Sequence, residues 1–263
     1  MTTITGSTRL FGIIADPVSQ VRTPEVLNAY FAEHGIDAVM VPMHVGSEGL
    51  PAVMQAFRQM KNLGGIIVTV PHKTDVAALC DKLGPAGEAI GSINTIRRLP
   101  DGTLEGDMFD GAGFVSGLIA QGNDPRGRRV LLLGAGGAAG AIAFALAQAG
   151  VAHLAVANRT ASKAQDVLDR VRPCFPDVDF ALGTADAAGY DIIVNATSLG
   201  MKEGDALPLE AATLQPGQLV AEIIMKPEMT ALLHAAHAAG CRIHLGKHML
   251  DEQVRHMVAY FGY

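Results

Sequence analysis

Short apolar runs alternate with alanine- and leucine-rich amphipathic stretches along almost the whole chain. Such alternation encodes strands and helices in turn, and strands separated by helices pair in parallel, so an α/β fold is expected. The first half predicts a strand at 8–14, then a helix opened by Thr23 and Pro24 that runs to about residue 34. A strand at 38–45, a helix at 48–60 and a buried strand at 65–70 follow. Pro71 suits a first helical turn and predicts another helix through about residue 83. Residues 92–98 and 103–107 read as paired strands around the turn Pro100-Asp-Gly102, and 110–121 as a helix. The run from Asn123 to Gly127 (NDPRG) is the clearest linker. Beyond it strands are expected near 130–133, 153–157, 178–181, 191–195, 219–223 and 242–245. The last helix, 250–260, has no strand after it and is expected to return to the first domain. Two domains are therefore expected, 1–108 with 248–263, and 109–247.

Within the second domain, the apolar run from Val130 ends in closely spaced glycines, Gly134-Ala-Gly-Gly-Ala-Ala-Gly140, and a helix-forming segment follows at once. This is the strand–turn–helix of a Rossmann-type, doubly wound parallel sheet, carrying the pattern GxGxxA. Gly134 can take the positive φ of a tight turn, and Gly136 lets the backbone approach a pyrophosphate. Ala139 permits close helix–strand packing, and Ala135, Gly137 and Ala138 complete a helix start whose N–H groups face an anion. The next strand ends at Asn158-Arg159-Thr160, where a ribose 2′-hydroxyl or its phosphate is read. An acid there selects NAD. Here Arg159, Thr160 and Lys163 offer a guanidinium fork, a hydroxyl and a point charge, and no acid follows until Asp166. NADP(H) is favoured, with NAD(H) as the alternative.

Composition narrows the class. The 263 residues can bury two small cores, and a net charge of −6 gives no reason to expect nucleic acid or a membrane surface as partner. Three cysteines, Cys80, Cys174 and Cys241, are odd in number and far apart, which argues for a reducing cytoplasm rather than a disulfide framework. The N-terminal residues lack the basic and apolar regions of a signal peptide. The uncharged stretch 130–152 has the length of a membrane span, but its glycine cluster and flanking turns fit a buried strand and helix.

Seven motifs occur in order: Val68 to Lys73 (VTVPHK), Gly91 to Thr95 (GSINT), Asp110 to Gly113 (DGAG), Gly134 to Gly137 (GAGG), Asn158 to Thr160 (NRT), Asn195 to Met201 (NATSLGM) and Gly246 to Gln253 (GKHMLDEQ). In this order and spacing the chain resembles the shikimate dehydrogenase family over nearly its whole length. The resemblance implies an N-terminal α/β substrate lobe and a C-terminal nucleotide lobe. It also implies reversible NAD(P)-dependent hydride transfer at the C3 hydroxyl of shikimate or a related cyclic hydroxy acid, with a place in aromatic amino acid biosynthesis or quinate metabolism. Lys73 and Asp110 correspond to the catalytic pair, and Thr23, Thr69, Asn94 and Gln253 to substrate-binding positions. Thr197, Ile223 and Gly246 correspond to cofactor positions, and Gly200 and Met201 also match the nicotinamide pocket. A base is needed on chemical grounds too, because oxidising an alcohol by hydride loss requires its proton to leave. The enzyme is expected to be cytoplasmic and either a monomer or a homodimer.

The substrate loop departs from the family. Where the family carries two serines before the proline, this chain has Val21-Arg22-Thr23. The family's asparagine before VTxP is Ile67 here, and a late tyrosine is Met225. Each lost hydrogen bond costs roughly 0.5–1.5 kcal/mol, so three changes would weaken shikimate binding on the order of 100-fold unless Arg22 or Gln20 compensates at the carboxylate. Quinate and aminoshikimate dehydrogenases remain alternatives, as does a nucleotide-binding regulator with little turnover. A folate-linked dehydrogenase is disfavoured by the Asp110 motif and Gln253. His72 is expected either to tune Lys73 or to be solvated. Met108 and Phe109 are expected to pack the junction of the two lobes rather than to contact a cofactor. His244 and His248 stand four apart, but one is expected to end a strand and the other to lie in a loop, so no metal site is expected.

Overall fold

The computed structural model describes residues 3–263; Met1 and Thr2, part of the stretch read for a signal peptide, lie outside the described residues. Two compact units are present. Unit 1 runs through Phe109 and resumes at Met257–Tyr263, and unit 2 is Asp110–His256.

Unit 1 contains β1 (Arg9–Ala15), α1 (Thr23–Glu33), β2 (Ala38–His44), α2 (Leu50–Gln59), β3 (Leu63–Val68), β4 (Lys82–Leu83), α3 (Pro85–Ile90), β5 (Thr95–Arg98) and β6 (Leu104–Asp107). Its sheet has the order β2-β1-β3-β5-β6-β4. β1 lies parallel to β2 and β3, and β3 is buried along its whole length, as a strand covered on both faces must be. The pairing expected of 92–98 with 103–107 is present, and it leaves β5 as the strand, alone among those described in this sheet, that departs from the parallel direction. β5 runs antiparallel to β3, and β6 antiparallel to β5, because β5 and β6 are joined by a tight turn at whose end Gly102 takes φ +94°. The core of this unit gathers Ile14, Met54, Phe57, Ile66, Val68, Ile96 and Leu104.

The helix expected from Pro71 to about residue 83 does not form. The span is instead a loop with a 3-10 turn at Ala77–Leu79 that ends in the short strand β4. Tertiary bonds take the groups a helix would have used: Lys73 gives its carbonyl to the Ile93 N–H at 2.9 Å, and Asp81 gives its N–H to the Leu104 carbonyl. The short helix α3 was missed for the opposite reason. Six residues give little periodicity, and its signals are purely local, Pro85 in the first turn and Gly91 in the left-handed conformation at the end.

Unit 2 contains α4 (Asp110–Ala120), β7 (Arg129–Leu133), α5 (Gly137–Gln148), β8 (His153–Ala157), α6 (Ala161–Val171), β9 (Asp179–Leu182), β10 (Ile192–Asn195), β11 (Leu219–Glu222), α7 (Ala231–Ala238), β12 (Arg242–His244) and the greater part of α8 (Lys247–Tyr260). The six strands are all parallel, in the order β12-β11-β10-β7-β8-β9. This is the doubly wound order, whose direction of winding reverses between β7 and β10. Leu131, Leu133, Ile193, Val220, Leu232 and Leu233 centre its core. The stretch 130–152 is β7 and the buried helix α5, and among the described residues no helix is long and apolar enough to cross a membrane.

The start of α8, expected with the first domain, packs within unit 2. Gly113 and Gly117 on α4 lie against it so closely that an added Cβ would come within 2.7 Å of the Met249 carbonyl oxygen and 2.8 Å of that of His248. His248 also differs from expectation: it sits in the first turn of α8, not in a loop.

Candidate active site

The C-terminal ends of parallel strands are where open α/β sheets bind ligands. In unit 1 the chain leaves β1 toward Thr23 at the start of α1, and leaves β3 through Thr69 to Lys73. Three backbone bonds tie this region together. The Val68 N–H donates to the Asn94 carbonyl at 2.7 Å, the Ile93 N–H to the Lys73 carbonyl, and the His72 N–H to the Thr69 carbonyl at 3.0 Å. The VTVPHK and GSINT motifs therefore form one structure, although about twenty residues separate them. Asn94 is 2 % exposed, and its Oδ1 accepts from the Thr95 hydroxyl and from the Phe109 N–H, both at 3.0 Å. Lys73 and Thr69 are half-buried beside it.

His72 is not solvated. Its side chain is wholly buried, and Nε2 donates to the carbonyl of Val45, just past β2, at 2.6 Å. Because a carbonyl only accepts, Nε2 carries the proton, and the ring staples the Lys73 loop to the end of β2, across β1. Arg22, a candidate for the substrate carboxylate, is exposed and ion-paired with Glu25 at 2.8 Å. Ile67, which stands in place of the family's asparagine, is buried within β3, and Val21 is half-buried. Met108 is buried, and the Phe109 ring packs against Tyr260 at 5.0 Å.

Unit 2 carries Asp110 and Gln253. Asp110 opens α4, is 5 % exposed, and accepts a short hydrogen bond from Gln253 Nε2 on α8. Two candidates 143 positions apart are thus in contact, whereas Lys73 belongs to the other unit.

The nucleotide candidates gather at the switch point between β7 and β10. Gly134 takes φ +113°, and a Cβ there would lie 2.8 Å from the Ala196 carbonyl oxygen and 3.2 Å from Thr197 Cγ2. Only glycine suits both the angle and the approach. Beyond it an added Cβ at Gly136 or Gly137 would meet nothing within 4 Å, so the turn is open at these two glycines, with Ala135 and Ala138 half-buried on either side. α5 starts with no side-chain cap, which leaves its first amides for an anion. Arg159, Thr160 and Lys163 are all exposed, and the Asn158 amide donates to the Thr160 carbonyl at 2.9 Å, shaping the turn they stand on. These residues fit a dinucleotide bearing a 2′-phosphate. Gly246 lies hard against the backbone of Ile223 and Ile224, which explains its place in the last motif.

The comparisons with known proteins agree with this geometry. Residues 13–96 match a family model for the shikimate dehydrogenase substrate binding domain, and residues 119–201 one for shikimate / quinate 5-dehydrogenase. A shikimate dehydrogenase (NADP+) from Rubrobacter xylanophilus is 42% identical over 251 residues, covering 94% of this chain and 88% of the relative. The chain belongs to the shikimate dehydrogenase family. It is accordingly an NAD(P)-dependent oxidoreductase acting on a CH–OH group, and the regulator reading is set aside. Among solved structures, shikimate 5-dehydrogenase from Listeria monocytogenes, in complex with shikimate and NAD, superposes with a TM-score of 0.92 at 34% identity, covering 98% of this chain and 93% of that one. A 5-ketofructose reductase from Gluconobacter sp. strain CHM43 superposes with a TM-score of 0.89 at 31% identity, covering 97% of this chain and 93% of that one.

The sequence reading missed a buried carboxylate among the cofactor motifs. Glu222 ends β11, is fully buried, and accepts from Asn195 Nδ2 and from the Thr230 hydroxyl, each at 2.9 Å, and from the Ile224 N–H at 3.4 Å. Asn195 in turn donates to the Leu199 carbonyl and accepts from both the N–H and the hydroxyl of Thr197. The glutamate thus joins the loop after β10 to the loop after β11, and burial pushes its pKa up. A single acid inside the apolar run Leu219 to Met225 was the available signal. Farther along the first of these loops, Asp205 accepts the N–H groups of Gly200 and Lys202, which hold its carboxyl below the usual range; Met201 is exposed.

Proposed function

We propose that the protein interconverts shikimate, or a closely related cyclic hydroxy acid, and its 3-keto counterpart with NADP(H) as the preferred cofactor. When bound, the dinucleotide supplies the site that takes up or returns the hydride. Gly134, Ala135, Gly136, Gly137 and Ala138 hold its pyrophosphate, and Arg159, Thr160 and Lys163, supported by Asn158, hold the 2′-phosphate. Thr197, Ile223 and Gly246 border its nicotinamide. Lys73 Nζ takes the C3 hydroxyl proton during oxidation and gives it back during reduction. Asp110, its carboxylate oriented by Gln253, binds and aligns a ring hydroxyl. Thr23, Thr69 and Asn94 position the remaining polar groups of the acid. The observation that carries this reading is the joining of Thr69, Lys73 and Asn94 at one end of the unit 1 sheet through the Val68, Ile93 and His72 N–H bonds.

A second reading, a polyhydroxy substrate other than shikimate, is favoured by the apolar Val21, Ile67 and Met225 and by the pairing of Arg22 with Glu25. The likeness to the Gluconobacter reductase adds to it. The protein is taken to act in the cytoplasm as a monomer or homodimer, without nucleic acid; its three free cysteines support the reducing compartment. Steady-state turnover of shikimate, quinate, an aminoshikimate-like acid and 5-ketofructose, each with NAD(H) and NADP(H) in the direction the substrate requires, tests both readings. Efficient shikimate turnover with NADP+ supports the first. Faster turnover of another compound establishes the second.

A further inference from the structure

At the end of the unit 1 sheet opposite Lys73, where β1 and β3 begin and the β5–β6 turn lies, a groove of about 850 Å³ opens. Five cationic side chains line it, Arg9, Arg58, Lys61, Arg97 and Arg98, against two acids, Asp81 and Asp101. This concentration is unexpected in a chain of net charge −6. Arg58 is paired with Asp81 at 2.9 Å, and Arg97 with Glu105 at 2.8 Å. The uncompensated charge is therefore that of Arg98, Arg9 and Lys61, set against Asp101 alone.

Two of these arginines are held in place. Arg98 donates from Nε and Nη2 to the Arg58 carbonyl at 3.1 and 2.8 Å, and from Nη1 to the Leu99 carbonyl at 3.1 Å. Carbonyl acceptors fix the plane of the guanidinium without neutralising it. Arg97 lies over the Tyr260 ring at 4.6 Å, and the Tyr260 hydroxyl donates to the Glu105 carbonyl, which fixes that ring from below. Asp101 is occupied by the turn, accepting the Thr103 N–H at 2.9 Å. Arg9 and Lys61 are exposed and, among the described residues, make no ion pair, so they are available to move onto a ligand. The fixed, uncompensated guanidinium plane of Arg98, flanked by the exposed cations of Arg9 and Lys61, is suited to oxyanions bearing two or more negative charges.

We propose that this groove is a second binding site, separate from the active site, for a small multivalent oxyanion such as a phosphate-bearing or polycarboxylate metabolite. Calorimetric titration of the full chain with inorganic pyrophosphate tests it, with NADP+ kept saturating so that the Arg159 site is already filled. Citrate serves as the carboxylate arm. The double variant Arg9→Glu/Lys61→Glu changes exposed residues outside the catalytic machinery, and its turnover should equal that of the parent. The expected result is binding near one equivalent that weakens at least 10-fold in the double variant. Binding of both anions assigns a site that reads charge, and binding of pyrophosphate alone assigns one that reads the phosphoryl group; either supports the proposal. Absence of binding at millimolar concentration, or binding unchanged by the double variant, overturns it. So does self-association of the parent chain that the double variant abolishes while pyrophosphate has no effect, since the groove would then face a second copy.

Discussion

Replacing Glu222 separates a packing role from a hydrogen-bonding one. In Glu222→Ala the Asn195 amide loses one of its two acceptors, the Thr230 hydroxyl loses its own, and the Ile224 N–H loses a long contact. Each buried donor left unsatisfied costs about 1–3 kcal/mol, and the vacated volume adds to that, so a destabilisation of about 3–5 kcal/mol is expected. In Glu222→Gln the amide oxygen still accepts from Asn195 and Thr230. Only the 3.4 Å bond from Ile224 is exchanged for a meeting of two donors, at a cost of about 1 kcal/mol. The glutamine also removes a pH dependence. Because burial raises the folded-state pKa of Glu222, ionisation opposes folding, and stability should fall as pH rises from the ordinary carboxylate value through the raised one. Urea unfolding from pH 4 to 8 measures both effects, and NADPH fluorescence titration reports whether the loops after β10 and β11 still receive the nucleotide. Equal destabilisation by the two substitutions, or a stability–pH profile in Glu222→Gln unchanged in shape from the parent's, would refute the reasoning.

Three further outcomes are expected. Arg159→Ala should raise the KM for NADP+ by about 10–100-fold while that for NAD+ changes little, the size of a lost charge-assisted hydrogen bond; equal effects on both cofactors would remove Arg159 from the 2′-phosphate. His244, buried at the end of β12 with its ring 5.0 Å from that of His248, has its pKa pushed down to about 4, first by burial and then by His248. The unfolded chain thus binds this proton first, and stability is lost as pH falls from about 6.5 to 4. His244→Leu should flatten that loss by about 2 kcal/mol in urea midpoints, a figure discounted for partial solvation. His72→Phe should lower kcat about 10-fold with little change in KM, and His72→Gln, which keeps a donor for the Val45 carbonyl, should recover most of it; failure of glutamine to recover activity would limit His72 to packing.

Much of this structure is legible in the sequence, because period, turn chemistry and glycine spacing are local. The strand–turn–helix at Gly134 and the strand ends at Asn158 and Asn195 were legible on those grounds, and the seven ordered motifs pointed to Lys73 and Asp110. What could not be read depended on partners distant in sequence. The loop after Pro71 stays open because Ile93 captures the Lys73 carbonyl and Val45 captures the His72 ring, and neither partner is visible from local propensity. The hairpin of β5 and β6 is legible from its turn at Pro100-Asp-Gly102, but the insertion of β5 beside β3, which leaves β5 alone reversed among the described strands of the unit 1 sheet, rests on pairing between distant segments. Glu222 reads as an interruption of an apolar run until its three donors, Asn195 at the end of β10, Thr230 and Ile224, are brought around it.

The most direct test of the proposed chemistry is the rate of NADP+-dependent shikimate oxidation by Lys73→Ala and Lys73→Arg, read alongside NADP+ and shikimate binding. If Lys73 moves the hydroxyl proton, kcat should fall about 10²–10⁴-fold in both variants while NADP+ binds as in the parent. Turnover within a few-fold of the parent in Lys73→Ala would contradict that role and return the search for the proton-transfer group to Asp110.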